Sequence, residues 1–324
     1  MLTLKVHTVN VANNDSVITK AQLIRSGNIT EMVGMTNDSH SCNFQKLSKD
    51  EYMVLSTGEV KEYDHKISRL ENINSVRKTI KTLRRLINAN VLNAEYCKWI
   101  TLTYAENMTD TKRLYSDFDS FRKRLIRYLT KNDIPIPEYI SVVEPQARGA
   151  WHIHLILIWN QSAPFLDNNS VITRLWGHGF TKTKALNNVD NIGAYFSAYL
   201  ADMPLDEISD MDSDIVSLIN ASCSVIEKSF TDDDDTIKDK KFVKGARLYL
   251  YPTGMNLYRT SRNIKRPQVI DISKSSYYDI VNTYDRNEKK ASLGELTFSS
   301  ATSVTDDGKV INDINRYYFN TKIN

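Results

Sequence analysis

Two histidines separated by one residue stand in an otherwise apolar stretch of the sequence. Residues 151–159 read Trp-His-Ile-His-Leu-Ile-Leu-Ile-Trp. Successive side chains of a strand point to opposite faces, so His152 and His154 would share one face with Ile156 and Ile158. An imidazole carries two nitrogens, and leaving them unpaired in an apolar core is costly. The pair therefore either finds hydrogen-bond partners in the fold or holds an ion.

The strand that precedes this stretch adds a carboxylate. Residues 139–144 read as a strand, and a symmetric connection would pair Glu144 with His152 and Val142 with His154. Paired residues point to the same face, with β-carbons about 4.5–5.5 Å apart. Two imidazoles and one carboxylate at one end of a hairpin predict a divalent metal site with open coordination positions, as catalysis requires. The alternative is a hydrogen-bonded His–Glu cluster that holds no metal.

Two tyrosines a helical turn apart form a second candidate group. Residues 189–204 predict a short helix that Pro204 ends. Tyr195, Tyr199 and Asp202 make a stripe at helical spacing beside the apolar stripe that would be packed. From the helix alone, ordinary packing tyrosines are the more common explanation. Phenols at the edge of a packed face could also reach an active site.

Alternating strands and helices must position these side chains. Residues 51–63 predict a hairpin, and residues 98–104 predict a strand by their alternation. An amphipathic helix is predicted over 72–90, with basic residues that would either contact phosphates or face solvent. A second helix begins near residue 110, where Thr109 or Asp110 could cap it. The fold class is therefore α+β, with a central antiparallel sheet flanked by helices and with N- and C-terminal additions.

Composition excludes several classes of protein. The chain has 324 residues, of which 41% are hydrophobic and 25% charged, so disorder throughout is excluded. Cys42, Cys97 and Cys223 share no close spacing, which predicts neither a zinc cluster nor a disulfide framework. Together with the lack of a signal-like or membrane-spanning apolar run, this predicts a cytoplasmic protein with no membrane partner. No GxxxxGK[ST] motif occurs, so a P-loop motor is not expected.

A net charge of +3 hides strong local bias, from which we predict the domain limits. Residues 202–214 carry six acidic side chains and no basic one, whereas 238–268 carry nine basic side chains against a single acidic one. Like-charge blocks repel and stay open, so the acidic stretch favours a connector. We predict a β-rich extension with a basic helix over 1–95 and a core over 96–204. An acidic linker over 205–237 would follow, and then a basic, aromatic C-terminal region over 238–324 that could pack on the core.

Three of these features occur in an order that resembles a known superfamily. Ile-Thr-Leu-Thr-Tyr (100–104), Glu144 with His152-Ile-His154, and Tyr195-x-x-x-Tyr199 resemble the motifs of HUH endonucleases. They are most similar to rolling-circle replication initiators, the Rep proteins of bacterial plasmids and single-stranded DNA phages. The resemblance covers roughly 98–204 and implies an HUH nuclease core with an RRM-like sheet.

The resemblance implies a chemistry for both residue groups. A tyrosine oxygen would attack a DNA phosphorus and leave a 5′-phosphotyrosyl enzyme and a free 3′-hydroxyl. Glu144, His152 and His154 would hold the metal, and this ligand set suits Mn²⁺ or Mg²⁺, although ligand type alone does not exclude zinc. Many relatives carry a lysine three or four residues after the nucleophile. Whichever tyrosine attacks, the residues in those places here are Ala198, Tyr199, Asp202 and Met203. We favour Tyr195 as the nucleophile because it takes the place of the first motif tyrosine and leaves Tyr199 where the lysine usually lies, as helper or second nucleophile.

Residues 245–268 interleave aromatic and basic side chains, as a surface for nucleic acid can. Tyr249, Tyr251 and Tyr258 could stack on bases; the alternative is a tyrosine-rich strand with a solvated basic turn. The side chains expected to meet phosphates are Arg259, Arg262, Lys265 and Arg266.

The implied partners are single-stranded or hairpin origin DNA and a host helicase and polymerase, with the oligomeric state open. Two competing interpretations lie close to this one. The first is a conjugative relaxase or single-tyrosine transposase, although relaxases tend to carry three metal histidines. The second is a DNA-binding regulator with a degenerate site, which would bind an origin without forming a covalent adduct.

Overall fold

A computed structural model describes residues 17–37, 44–48, 50–62, 73–186, 191–231, 237–252, 254–285, 293–306 and 309–322. The chain divides into two compact units, one formed by Met1–Leu4 with Ser68–Arg266 and the other by Lys5–Ile67 with Pro267–Asn324. The mixed α+β class that we predicted is confirmed. Among the described helices, none combines the length and the apolar character that crossing a bilayer requires.

The described strands, in chain order, are β1 Lys20–Ser26, β2 Ile29–Met35, β3 Phe44–Lys46, β4 Glu51–Val54, β5 Val60–Glu62, β6 Cys97–Thr103, β7 Glu138–Pro145, β8 Trp151–Ile158, β9 Thr181–Ala185, β10 Met203–Pro204, β11 Val225–Thr231, β12 Ile237–Val243, β13 Tyr258–Thr260, β14 Gln268–Ile272, β15 Glu295–Asp306 and β16 Lys309–Asn320. The described α-helices are α1 Ile73–Asn90, α2 Thr111–Lys131, α3 Arg174–Trp176, α4 Ile192–Ala201, α5 Ser213–Ser222 and α6 Lys274–Asp285. Short 3₁₀ segments cover Ala94–Tyr96, Leu205–Asp210 and Ala246–Leu250.

The first unit is built on a five-stranded sheet in the order β13-β7-β8-β6-β9, in which every pair is antiparallel. Strand β8 is central and apolar on both faces, as the sequence predicted. Helix α2 covers one face, where Phe118 packs on Tyr139. Asp110 caps this helix by accepting from the backbone N–H groups of Lys112 and Arg113, which confirms one of the two predicted caps.

Helices α4 and α1 belong to the opposite side of the same sheet. Phe196 of α4 packs against Trp99 of β6, with ring centroids 4.9 Å apart. The predicted helix over 72–90 is observed as α1, and its apolar stripe is buried against this layer. The predicted helix over 189–204 begins and ends inside those limits as α4; residues 187–190 lie outside the described part of the chain.

The segment that we predicted to be an open acidic linker contains regular structure. Within 205–237, helix α5 and strand β11 are formed, and β11 pairs with β12 of the basic segment. The acidic and basic stretches complement each other, since Lys240 pairs with Asp206 at 3.1 Å. Counting charges within each stretch missed this pairing. Residues 232–236 are outside the described part.

The second unit joins segments from both ends of the chain. Its main sheet has the order β14-β1-β2-β16-β15, with α6 beside it, and β3, β4 and β5 form a smaller sheet that contains the predicted hairpin. Gly34 of β2 lies directly under the ring of Tyr277, where a β-carbon would come within 2.6 Å of the ring. The limits of the two units therefore differ from the four consecutive segments that we predicted.

Candidate metal centre and tyrosine helix

The pairing of β7 with β8 places Glu144 opposite His152 and Val142 opposite His154, which is the predicted register. On the other side of β8, strand β6 brings Thr103 opposite His152 and Thr101 opposite His154. Two rows therefore run across the sheet on one face. The polar side chains meet at the connected end of the hairpin, where β7 ends and β8 begins.

The carboxylate and the two imidazoles form a tight cluster. Glu144, His152 and His154 each offer a ligand atom, and these atoms all lie within 4.8 Å of one another. Nε2 of His154 is 2.5 Å from Oε2 of Glu144. Glu144 and His154 are almost fully buried, whereas His152 is partly exposed. His152 is therefore the member of the cluster that lies nearest to solvent.

The donor set fits a divalent cation. Nε2 of His152 is buried and has no hydrogen-bond partner among the described residues. Burial is the main reason that the pKa of His152 is lowered to about 4, so the ring is neutral at pH 7 and its nitrogen lone pair is available. A neutral imidazole beside an ionised carboxylate is a combination that binds divalent metal ions. An unpartnered buried nitrogen at this point is explained by a cation that it would bind.

The other ring nitrogen of His154 has support from strand β6. Its Nδ1 lies 3.2 Å from Oγ1 of Thr101 and 3.3 Å from Nε1 of Trp99. A hydroxyl can donate or accept, so Thr101 can pair with Nδ1 in either tautomer. Nε1–H of Trp99 can only donate, so Nδ1 accepts in this structure and the proton of a neutral ring lies on Nε2, facing Glu144. The contacts with Thr101 and Trp99 orient the ring, and a cation bound at Nε2 would displace that proton.

A buried arginine accompanies the carboxylate. Arg247 is only 7% exposed, and its Nε lies 3.1 Å from Oε1 of Glu144. Burial by itself would raise the pKa of Glu144, but the hydrogen bond and charge of His154, with the charge of Arg247, outweigh it and lower that pKa. Glu144 is therefore ionised in the folded protein at neutral pH.

Arg247 also connects the cluster to the chain that follows the tyrosine helix. It donates to the backbone oxygens of Asp202 and Pro145, at 3.0 and 3.1 Å, and its Nη2 lies 3.2 Å from Oε2 of Glu207. From the sequence, Arg247 counted only as one member of a basic block. Its direct neighbours Ala246 and Leu248 are apolar, and this was the available signal that the side chain is buried.

Helix α4, which carries Tyr195 and Tyr199, is held to α1 at its N-terminal end. The backbone N–H of Gly193 donates to Oδ1 of Asn88 at 2.8 Å, and Asn191 accepts from the backbone N–H of Ala194 at 3.0 Å. A β-carbon at Gly193 would overlap the backbone oxygen of Arg84. Glycine at this position is therefore what allows the two helices to approach so closely.

The same helix lies over the histidine face of the sheet. Phe196, the neighbour of Tyr195, packs edge-on to the ring of His154, with centroids 5.9 Å apart. The side chains of Tyr195 and Tyr199 are outside the described part of the structure. The backbone nevertheless places both tyrosines on a helix in direct contact with one of the candidate ligands.

The predicted DNA-binding residues are divided by the structure. Arg262, Lys265 and Arg266 are exposed, whereas Arg259 is half-buried, lies 4.1 Å above the ring of Tyr115 and pairs with Asp119. Tyr258 is half-buried on β13. The expectation that Tyr249 and Tyr251 could stack on bases is wrong, because both are buried and Tyr251 donates to the backbone oxygen of Val143.

A comparison with family models identifies one segment of the chain. Residues 97–204 match the model of the replication-associated protein ORF2 family. This is a family of rolling-circle replication initiators within the HUH superfamily, so the resemblance that we recognised from the motifs is confirmed. No curated protein compared with the chain matches it.

The match to the ORF2 family contains each element of the candidate site that came from a motif. It begins at strand β6, includes the hairpin with Glu144, His152 and His154, and ends at Pro204 behind the tyrosine helix. Arg247 lies beyond the matched segment, although it contacts Glu144. About one third of the chain is matched, and the match does not extend to residues 1–96 or 205–324.

Proposed function

We propose that this protein initiates rolling-circle DNA replication by cutting and rejoining one DNA strand through a 5′-phosphotyrosyl intermediate. The observation that carries the proposal is the cluster of Glu144, His152 and His154 under a helix that bears two tyrosines, inside a segment that matches the ORF2 family. A His–Glu cluster with a purely structural role would not explain the two tyrosines on the helix above it. Tyrosines with a purely packing role would not explain a buried set of metal-type donors.

In the proposed reaction, the oxygen of Tyr195 forms a bond to phosphorus while the bond from phosphorus to the 3′-oxygen breaks. The phenol loses its proton and the leaving oxygen gains one, so the products are a 5′-phosphotyrosyl link and a free 3′-hydroxyl. The energy of the broken bond is retained in the link, and the reverse step rejoins the strand without ATP. Tyr199 would assist or make a second cut.

A phenol with a pKa of about 10 is a weak nucleophile at neutral pH and needs assistance. A divalent cation held by Glu144, His152 and His154, Mn²⁺ or Mg²⁺, would polarise the scissile phosphate and neutralise charge that develops on it. Arg247 keeps Glu144 ionised and in place, and Thr101 orients His154. Helix α4, whose sequence includes both tyrosines, is anchored to α1 and packs over the same face through Phe196.

DNA would be single-stranded, or a hairpin, at the cut site. Arg262, Lys265 and Arg266 are exposed, and we propose that they contact phosphates. Arg259 would join them once its ion pair with Asp119 opens, and the half-buried Tyr258 of β13 would contact the same DNA. Strand separation and synthesis are proposed to come from a host helicase and polymerase.

The proposal is tested with end-labelled single-stranded oligonucleotides that tile the replicon encoding the protein, incubated with Mn²⁺ and resolved on a denaturing gel. The expected result is a shorter labelled strand together with a band that protease treatment shifts. Glu144→Ala, His152→Ala and His154→Ala should each abolish both products. A wild-type protein that binds these oligonucleotides but forms no adduct would instead be a DNA-binding regulator.

A further inference from the structure

The loop before strand β9 holds a phenylalanine out in solvent. Phe180 is 66% exposed, although it lies directly beside the sheet that carries the candidate metal centre. Exposing a large aromatic ring forgoes the stabilisation that burial would give. Single exposed apolar side chains are common on protein surfaces, so the inference rests on the fixed backbone of this residue and on its register with the cluster rather than on exposure alone.

The loop that carries Phe180 is fixed by its backbone. The N–H of Thr103 donates to the oxygen of Phe180 and the N–H of Ala105 donates to the oxygen of His178, both at 2.9 Å. A β-carbon at Gly179 would overlap the backbone nitrogen of Ala105, so a glycine is needed for this close approach. The ring is exposed on a tightly bound loop and needs little ordering when it binds a partner.

Phe180 lies at the end of a row of residues that are paired across the sheet, and this row includes Glu144 and His152 of the cluster. Glu144 pairs with His152, His152 pairs with Thr103, and the hydrogen bond from Thr103 continues the row to Phe180. Two strand spacings of about 4.8 Å place the backbone of Phe180 roughly 10 Å from that of His152. Thr103 lies between them in the row.

Positive charge accompanies the ring along the same edge strand. Lys182 and Lys184 are exposed, and Lys182 pairs with Thr101 in the row of His154. Neither lysine has an ion-pair partner within the described part of the chain. Lysines on an edge strand also discourage pairing with another sheet, so the phenylalanine carries the inference and the lysines support it.

We propose that Phe180 is a stacking platform for one base of the single-stranded DNA that the cluster cuts, and that Lys182 and Lys184 contact the phosphates beside that base. Aromatic rings stack on any base, and lysines follow the backbone without reading sequence. The inference rests on the proposed function. It adds a binding surface on β9, separate from the basic residues near β13.

The full chain is titrated with a fluorescent oligothymidylate that carries a single 2-aminopurine, once in chelator and once in Mn²⁺. Phe180→Ala should weaken binding about 5- to 100-fold and abolish the quenching of 2-aminopurine that stacking produces. Phe180→Trp should retain both. The matched control is Phe165→Ala, because Phe165 is a more exposed phenylalanine, at 84%, in the same unit and should leave both readouts unchanged.

Lys182→Ala with Lys184→Ala should lower the slope of log affinity against log salt by about 1.4, whereas Lys123→Ala on α2 should not. Unchanged affinity and quenching in Phe180→Ala overturn the platform. Equal losses in Phe180→Ala and Phe165→Ala overturn it too, because they indicate general adhesion. If the wild type forms no covalent adduct but shows Phe180-dependent quenching, the proposed cutting activity fails and the platform stands.

Discussion

Nε of Arg247 lies 3.1 Å from Oε1 of Glu144, at a point where both side chains are buried. The two residues are far apart in the sequence, and only Glu144 falls within the segment that matches the ORF2 family. Arg247 also binds the backbone that leaves the tyrosine helix. One guanidinium therefore links the candidate ligand to the element that presents the candidate nucleophile.

Replacing Arg247 by Met should lower the affinity for Mn²⁺ by about 10- to 100-fold, because the carboxylate of Glu144 loses the group that orients it. The fold should also lose about 3 kcal/mol of stability, since the buried carboxylate keeps only His154 as a partner and the backbone oxygens of Asp202 and Pro145 lose their donor. Calorimetric titration with Mn²⁺ and urea unfolding measure the two effects. Arg262→Met, which removes an exposed arginine, is the control. Unchanged Mn²⁺ affinity in Arg247→Met would mean that Arg247 does not support the metal centre.

His152 should make the stability of the metal-free protein depend on pH. Its pKa is lowered from 6.5 to about 4, chiefly by burial, so the unfolded chain binds more protons between these values than the folded one. The free energy of unfolding should therefore fall as the pH decreases from 6.5 towards 4, by up to about 3 kcal/mol. The lowered pKa of Glu144 acts at more acidic pH, where protonation of its carboxylate removes further stability.

Urea unfolding in chelator at pH 7 and pH 5 measures this dependence. His152→Asn should show a smaller difference between the two pH values than the wild type. An identical pH dependence in His152→Asn and the wild type would mean that His152 is not kept neutral by burial.

Gly193→Ala should impair the reaction more than the fold. The new β-carbon would overlap the backbone oxygen of Arg84, so α4 must move away from α1 and carry both tyrosines with it. We expect a loss of about 10²-fold in the rate of adduct formation, which is typical of a displacement of about 1 Å. Mn²⁺ affinity should change little, because the three ligands are on β7 and β8.

Single-turnover cleavage and calorimetric Mn²⁺ titration separate these effects. Lys78→Ala, on an exposed position of α1, serves as the control. If Gly193→Ala cleaves at the wild-type rate, the contact between α1 and α4 does not position the nucleophile.

The sequence was sufficient for the parts of the site that depend on local pairing. Side-chain alternation and a short connection predicted that Glu144 faces His152, and the pattern of residues 110–131 predicted α2 with its cap. Arg247 was missed because its partner is far away in the sequence and its charge resembled that of its solvent-exposed neighbours. Burial of a charge becomes visible only when the partner is known.

Long-range pairing also explains the errors in domain limits. Strand β1 pairs with β14, and β2 pairs with β16, so segments from both ends of the chain form one unit. The supposed linker folds because β11 pairs with β12 and because Ile208 and Ile219 join a buried cluster with Val243 and Tyr249. Acidic residues after α4 also pair with Lys240 of β12 and with Arg247. The composition of a segment does not show which acidic segment will pair with which basic segment in the folded chain.

We propose that a tyrosine of α4 attacks DNA, and mass spectrometry of the covalent adduct identifies the attacking residue. Wild-type protein is incubated with Mn²⁺ and the tiled oligonucleotides, digested with a nuclease and a protease, and the modified peptide is sequenced. We expect a nucleotide on Tyr195, no adduct in Tyr195→Phe, and a single adduct with impaired rejoining in Tyr199→Phe. An adduct on Tyr199 that forms at the wild-type rate in Tyr195→Phe would reverse the assignment. An adduct on a residue outside α4 would rule out both Tyr195 and Tyr199 as the nucleophile.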